Sequence, residues 1–387
     1  MMWRWVFVLV FFSACQPVSP PVNDTGLSLV TPAVDITVDS PATPSNTPIP
    51  SCDVEEATYV TGLLPEYVPT QGDFVRLVGD GFNLNGEPFP VYGINYYPRD
   101  YPYERFLVEM QVPSVEFELN LMRDVGINTL RIFLRHDDLF TCAGTVPRID
   151  RFTRLDEFIH TAVTTGFRLI LVLNQDVNVA TLYNNISRSQ YQAAFIAGRY
   201  AAEPGIIAYD LRERGDIDAL TSRELTPNDV LVWLSEVAQV VRAAAPNHYI
   251  TASWDNTAEQ TTSIVDFVSF QSFESIVPLR EEIAILTDST DKPILLAAIG
   301  YSTFDYDELG QRQAYFRAFE AVKQNNLAGW VIWTGFDYPL PKLCPIAEPD
   351  CQLEPNAQTR FGLWNTSYFP KRALDAVRIA TGVDSAS

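Results

Sequence analysis

At 387 residues, 12% aromatic and 19% charged, the chain is long and apolar enough to bury a large core, which excludes a disordered, collagenous or coiled-coil protein. Forty-eight acidic residues against 27 basic ones leave a formal charge of −21, a field that repels phosphate backbones and anionic headgroups and argues against nucleic acid as a partner. The three histidines and five cysteines form no CxxC or HxxxH pair, and no GxGxxG or P-loop string occurs, so nothing points to a metal site, a nucleotide or another cofactor.

In chain order, residues 1–15 come first: Arg4 supplies a positive flank and Trp5 to Phe12 an apolar run of eight, too short to span a bilayer but suited to an export signal. Phe12-Ser13-Ala14-Cys15 resembles the bacterial lipobox, with Leu more usual at the first place, and Cys15 would become the lipidated first residue after cleavage. That implies a protein attached to the bacterial cell envelope, its folded part facing out of the cytoplasm and its membrane contact limited to the lipid anchor. Residues 16–58 form a tether. Gln16 to Ser51 holds eight prolines, and no Lys or Arg occurs between Arg4 and Arg76, a composition unable to bury enough apolar area to offset chain entropy. Export leaves Cys52, Cys142, Cys344 and Cys351 in an oxidising compartment with three possible pairings. Cys344 and Cys351 bracket a short Pro-rich loop and are expected to pair, leaving Cys52 for Cys142; four reduced thiols are the alternative.

Residues 59–383 read as one α/β domain, a (β/α)₈ TIM barrel preceded by a short β-hairpin. The hairpin is signalled by Phe74 to Leu77 and Phe82 to Leu84 around Gly79-Asp80-Gly81, with a second turn at Asn85-Gly86. Eight β-branched runs follow: Val91 to Asn95, Thr129 to Phe133, Leu169 to Leu173, Ile206 to Leu211, Tyr249 to Ser253, Phe267 to Phe270, Ile294 to Ala298 and Trp330 to Trp333. Between them, helical periodicity is read over Val115 to Val125, Leu155 to Thr165, Gln190 to Ala202, Asp229 to Ala245 and Leu309 to Gln324. Alternation sustained this long fits a closed parallel barrel better than an open doubly wound sheet.

Seven strings carry a specific resemblance: FNLNGEPFPVYGINYYP (82–98), GINTLRIF (126–133), RYAAEPGIIAYDLR (199–212), APNHYITASW (245–254), KPILLAAIG (292–300), GWVIWTGFDYP (329–339) and FGLWNTSYFPKRAL (361–374). In order and over the whole domain, they are similar to retaining glycoside hydrolases of the cellulase and β-mannanase type, family 5-like enzymes built on (β/α)₈ barrels. Such enzymes place two carboxyl groups roughly 5 Å apart, one as acid/base and one as nucleophile. The resemblance implies the first in a W-D-L-x-N-E-P string and the second in K-P-I-L-x-x-E-x-G. Here both are substituted: Arg214 stands at the acid/base position and Ala298 at the nucleophile. An Arg stays protonated and cannot act as a general acid.

Glu213 is the nearest substitute for the acid, although a one-place shift on a strand needs a bulge to turn it inward. Glu274 is the nearest strand-end carboxylate elsewhere. Sugar-handling positions survive better: the resemblance gives Arg131 as the family Arg and Trp333 as the Trp under the reacting sugar, while Gln271 and Phe273 stand where the family has His and Tyr. Asn95, Tyr96, Tyr97, Trp254 and Tyr338 also fall at strand ends, where barrel sites lie. Arg131 has a structural alternative, an ion pair with Glu213 or Asp176. His136-Asp137-Asp138 has the look of a metal string but reads as solvated charge, and His160 and His248 as structural.

Three readings stay open at this stage: a barrel that binds an oligo- or polysaccharide after losing its dyad, an active hydrolase or transglycosylase using Glu213 and Glu274, and a structural surface protein presenting its loops to a protein partner.

Overall fold

The computed structural model describes residues 64–383 apart from 142–143, 145 and 176–178. The expected signal and tether, with Cys15, Cys52, Cys142 and Asp176, lie outside the described residues.

Strands β1 (Arg76–Val78), β2 (Gly81–Leu84) and β3 (Glu87–Pro88) form a small antiparallel sheet. Val78 pairs with Gly81 and Leu84 with Glu87, so each connection is a two-residue turn. At the second, Asn85 and Gly86 both have positive φ, 57° and 89°, as a turn matched to the strand twist demands. The expected hairpin is β1–β2, and the second turn signal, Asn85-Gly86, adds β3 to it as a three-stranded meander.

The barrel follows. Its strands are β4 (Val91–Asn95), β5 (Thr129–Arg135), then, after a two-stranded ribbon of β6 (Phe140–Thr141) and β7 (Val146–Pro147), β8 (Arg168–Gln175), β9 (Ile206–Asp210), β10 (Tyr249–Thr251), β11 (Ser253–Trp254), β12 (Val268–Ser272), β13 (Ile294–Ile299) and β14 (Gly329–Ile332). All nine barrel pieces pair in parallel, in the order β10-β9-β8-β5-β4-β14-β13-β12-β11. β10 pairs with β9 and β11 with β12 on either side of Ala252, so the two pieces are halves of one strand and the ring closes as eight. Every expected barrel strand is present within a few residues.

The helices also match the apolar periodicity: Val112–Arg123, Ile149–Thr164, Ile186–Arg199, Pro227–Ala244 and Glu308–Gln324. One that periodicity did not pick out, Ile276–Ser289, lies between β12 and β13. Pro278 stands in its first turn, where it removes no hydrogen bond that the helix could have made.

Two cores hold the barrel. The larger lies between strands and helices; the smaller fills the ring, where Val91, Ile170, Leu295 and Val331 join Phe82 of the meander and Val75 just ahead of it. The Phe82 and Phe267 rings meet edge to face at 5.1 Å, so the meander plugs the N-terminal end of the barrel, its foot. Glu203, just ahead of β9, fastens the incoming chain there: its buried carboxylate accepts from Tyr67 Oη (2.7 Å), Thr70 N (2.8 Å), Thr70 Oγ1 (2.6 Å) and Gly205 N (2.8 Å). With the foot closed, the opposite end, where strand C-termini gather, is left for a site.

Candidate functional site

Parallel strands point alternate side chains into the ring, and at the mouth those side chains are polar. Arg131 on β5 has no exposed surface. Its Nη2 and Nε donate to Asp210 Oδ2 on β9 at 2.8 and 3.1 Å, and its Nη1 donates to Asn95 Oδ1 on β4 at 2.7 Å. Asp210 also accepts from Ser253 N (3.2 Å) and Ser253 Oγ. Ser253 Oγ in turn meets Ser269 Oγ at 2.9 Å. The structural alternative for Arg131 is thus realised twice: with Asp210, which the sequence reading did not name, and at 3.5 Å with Glu213, which it did.

Glu213 sits above this network. The chain leaves the strand after Asp210, so strand alternation no longer dictates side-chain direction, and the Glu213 carboxylate turns into the mouth. Gln271 Nε2 donates to Glu213 Oε1 at 3.1 Å, and Arg131 Nη1 lies 3.5 Å from the same oxygen. Its side chain is 13% exposed. Burial pushes its pKa up, Arg131 and Arg214 pull it down, and the rise prevails.

Arg214, at the family acid/base position, adopts a left-handed backbone (φ 55°, ψ 34°) at the start of the helix Gly215–Thr221. Its Nε donates to Asp255 Oδ2 at 2.8 Å while 42% of the side chain remains exposed. Asp255 is largely enclosed, and burial raises its pKa to about 6, with Asp216 and Glu213 adding to the rise and Arg214 opposing it. Glu274 is exposed on the loop after β12; the partners of Glu213 are Arg131 and Gln271.

At the family nucleophile position, Ala298 is 1% exposed within β13, all six of whose residues are buried. Beyond it, three aromatics converge on Gly300. A Cβ on that glycine would lie 2.8 Å from the Trp333 carbonyl oxygen and 3.0 Å from ring atoms of both Phe273 and Phe361. Trp333 is half-buried, its ring 5.8 Å from Phe133, and the peptide after it is cis. Phe273 is 46% exposed. Phe361 carried no separate signal in the sequence beyond its place in a family-like string.

Several strand-end residues do not face the mouth as expected. Tyr96 is fully buried on the helix side of β4, where its hydroxyl donates to Glu118 Oε2 at 2.7 Å and its ring stacks on Phe158. Tyr97 and Tyr338 also belong to the outer core. Asn95 does face inward, but its amide is used up by Arg131 and by Ala297 O at 2.9 Å, which makes it a positioning residue. Trp254 is buried, its indole nitrogen 2.7 Å from where a Gly215 Cβ would stand. Among the residues singled out, Glu213, Gln271, Phe273 and Trp333 gather around Arg131 and Gly300.

Elsewhere, Cys344 and Cys351 form the expected disulfide. His136 is buried beside Phe140, and desolvation lowers its pKa to about 4, which corrects the solvated reading. His248 Nε2 meets Glu203 O at 2.9 Å. Among the described residues no cluster of His, Cys, Asp or Glu is placed to hold a metal ion.

The raised carboxyls set a pH dependence. Burial takes Glu118 and Glu282 to about 7, Glu282 with added repulsion from Glu259, Asp216 and Asp255, and Asp255 goes to about 6. A folded-state pKa above the unfolded one means the folded state binds the proton more tightly, so stability falls as pH rises from about 4 to 7. Below about pH 6.5 the depressed His136 works the other way, adding stability as pH rises, so the carboxyls are read above it: thermal melts from pH 6.5 to 8 should show a decline on the order of 1 kcal/mol, reduced by partial exposure of Glu282. A melting temperature that is flat or climbs over that interval would refute this.

No protein-family model matches the sequence, and no curated protein matches it either. Solved structures do match in fold. A GH5_18 protein from Streptomyces cattleya, in complex with GlcNAc, aligns with TM-score 0.65 and 14% identity over 75% of this chain and 79% of its own. An exo-β-1,4-mannosidase from Opitutaceae bacterium strain TAV5 aligns with 0.64 and 17% identity, over 77% of this chain and 60% of its own. An endo-1,4-β-mannanase from Rhizomucor miehei gives 0.61 and 18% identity, over 80% and 99%. The chain therefore has the barrel fold of family 5 glycoside hydrolases, the fold its sequence strings implied. A shared fold does not carry the chemistry with it.

Proposed function

We propose that the mouth binds an oligo- or polysaccharide and does not cleave it through a covalent glycosyl intermediate. The observation that carries this reading is the pair of substituted positions: Arg214 is a cation ion-paired to Asp255, and Ala298 is a methyl group on a fully buried strand end. A retaining displacement needs a carboxylate to attack the anomeric carbon and a carboxylic acid to protonate the leaving oxygen. Neither group at those two positions can do so. What remains is suited to holding sugars: an amide and a carboxyl for hydroxyl groups, and aromatic rings for the apolar faces of pyranoses. The solved structures of like fold are named as mannosidase, mannanase and GlcNAc-bound proteins, which favours β-linked manno- or N-acetylgluco-configured chains as first ligands to try.

The expected result is no release of aglycone from aryl β-mannosides or β-glucosides above the uncatalysed rate, with saccharide binding measurable by calorimetry. A second reading, an enzyme with a relocated acid, draws on Glu213: a carboxyl in the mouth whose pKa burial has raised is suited to proton donation. Turnover that disappears in Glu213→Gln would establish that enzyme and overturn the binding reading.

We also infer that Cys15 bears the lipid anchor and that the barrel is held at the outside of a bacterial envelope. The basic, apolar and small-residue succession of residues 1–15 supports this, and the disulfide is in keeping with an oxidising compartment.

A further inference from the structure

We propose that Arg214 makes the mouth selective for acidic sugar chains, by receiving the carboxylate of a uronic acid residue on the two terminal nitrogens of its guanidinium group. The inference rests on the saccharide-binding reading and adds to it the charge class of the ligand and the residue that selects it.

The first observation is where the cation stands. Arg214 N donates to Ser253 O at 2.7 Å, which ties its backbone to β11, and its guanidinium is near enough to Glu213 to pull the pKa of that carboxyl down. The left-handed backbone at φ 55° is one that a side chain strains and a glycine would adopt freely. What the arginine adds at that position is its charge.

The second is that its donors are not used up. Nε donates to Asp255 Oδ2 at 2.8 Å, whereas among the described residues neither Nη1 nor Nη2 makes a hydrogen bond, and 42% of the side chain is exposed. The two buried arginines nearby differ in this respect. Arg131 is committed to Asp210 and Asn95, and Arg212 to Asp218 and the Asn174 carbonyl. The free pair on Arg214 is a planar fork of fixed charge, and it matches the two oxygens of a carboxylate.

The third is the behaviour of the acids around it. Glu213 follows β9, Asp255 follows β11, and Asp216 accepts from the Asp255 and Asn256 amides; Glu259 and Glu282 stand behind them. Burial raises Glu213, burial with repulsion from Asp216 and Glu213 raises Asp255 to about 6, and Glu282 reaches about 7. Such groups take up protons as pH falls from 7.5 to 5, while Arg214 keeps its charge and Arg131 stays balanced by Asp210. A sugar carboxylate of ordinary pKa is still ionised at pH 5. The chain's net charge of −21 does not cancel this, because at physiological ionic strength charges beyond about 8 Å are largely screened.

No bond is made or broken in the step; it is association alone. The experiment is calorimetric titration of the full-length protein, at about 0.15 M salt, with two matched pairs of β-1,4-linked tetramers: mannose against mannuronate, and glucose against glucuronate. The members of a pair differ only in oxidation at C6. At pH 5 the acidic member should bind about tenfold more tightly than the neutral one, and the ratio should shrink severalfold by pH 7.5. Arg214→Met should bring the ratio to about one, and Arg214→Lys, which keeps the charge without the fork, should retain only part of it. Asp255→Asn removes the competing carboxylate and should raise acidic-tetramer affinity severalfold at pH 7.5, a gain that a merely structural ion pair would not yield. Thermal melts of each variant confirm that the barrel is intact. If a neutral tetramer binds but its acidic counterpart gains nothing at pH 5, or if Arg214→Met leaves the ratio as it was, this proposal is wrong and the saccharide reading stands. If no tetramer, neutral or acidic, binds the parent protein, the saccharide reading fails and takes the proposal with it.

Discussion

Asp210→Ala should destabilise the domain by about 3–5 kcal/mol, measured as a shift in the urea midpoint at unchanged slope, against a total of roughly 5–15 kcal/mol for a folded domain. The reason is Arg131. Both side chains are fully desolvated, and two guanidinium nitrogens rest on one Asp210 oxygen. Removing the carboxylate strands a cation in a ring of strands where Asn95 can accept from one nitrogen only and Glu213 stands 3.5 Å away, partly in solvent. It also leaves Ser253 N without its acceptor and Ser253 Oγ with Ser269 Oγ alone. The pair itself contributes far less than its rupture removes, because desolvation of two charges offsets most of their attraction. Arg131→Met combined with Asp210→Leu should therefore recover much of the lost stability. A loss below about 1 kcal/mol for Asp210→Ala alone would mean that water enters the ring and that the pair is not the closed unit described.

Cys15→Ser should move the protein from the membrane fraction to the medium almost completely. A lipidated amino-terminal cysteine carries two or more acyl chains, and at about 0.8 kcal/mol per buried methylene one chain gives only marginal attachment whereas two hold firmly. The substitution removes the sulfur to which the lipid is joined, so the effect is all or none. Fractionation followed by immunodetection reads it directly. Equal partition of parent and variant would refute the lipobox reading of Phe12 to Cys15 and leave an ordinary export signal in its place.

The barrel was legible because its strands are buried on both faces. Leu169 to Leu173 and Ile294 to Ala298 are near-continuous apolar runs, and between them helices repeat with a different period. Tyr96 was misplaced for want of a rule the sequence already contains. Asn95 ends β4 and Tyr96, whose N donates to Arg131 O, continues its ladder by one residue, so the two cannot both face the ring; the ring took the amide while the phenol found Glu118. Glu213 was misjudged for the opposite reason, since alternation was applied to a residue beyond the strand's end. Asp255, Ser253 and Phe361 were not singled out because each is defined by a partner far away in sequence: Arg214, Asp210 and Phe273. Composition and spacing report what is near in the chain, and a barrel mouth is assembled from eight distant places in it.

The clamp at Glu203 has a mechanical consequence. Tension applied to the chain ahead of Leu64 enters the domain at the foot, where Tyr67 and Thr70 hand it to a carboxylate on the segment leading into β9. Those three bonds are what joins residues 67 and 70 to the segment leading into β9. Glu203→Gln would weaken that grip without altering a residue of the mouth. A loss of grip at the foot would free residues 64–75 while the network of Arg131, Asp210 and Asn95 at the mouth, which shares no residue with the clamp, kept its bonds.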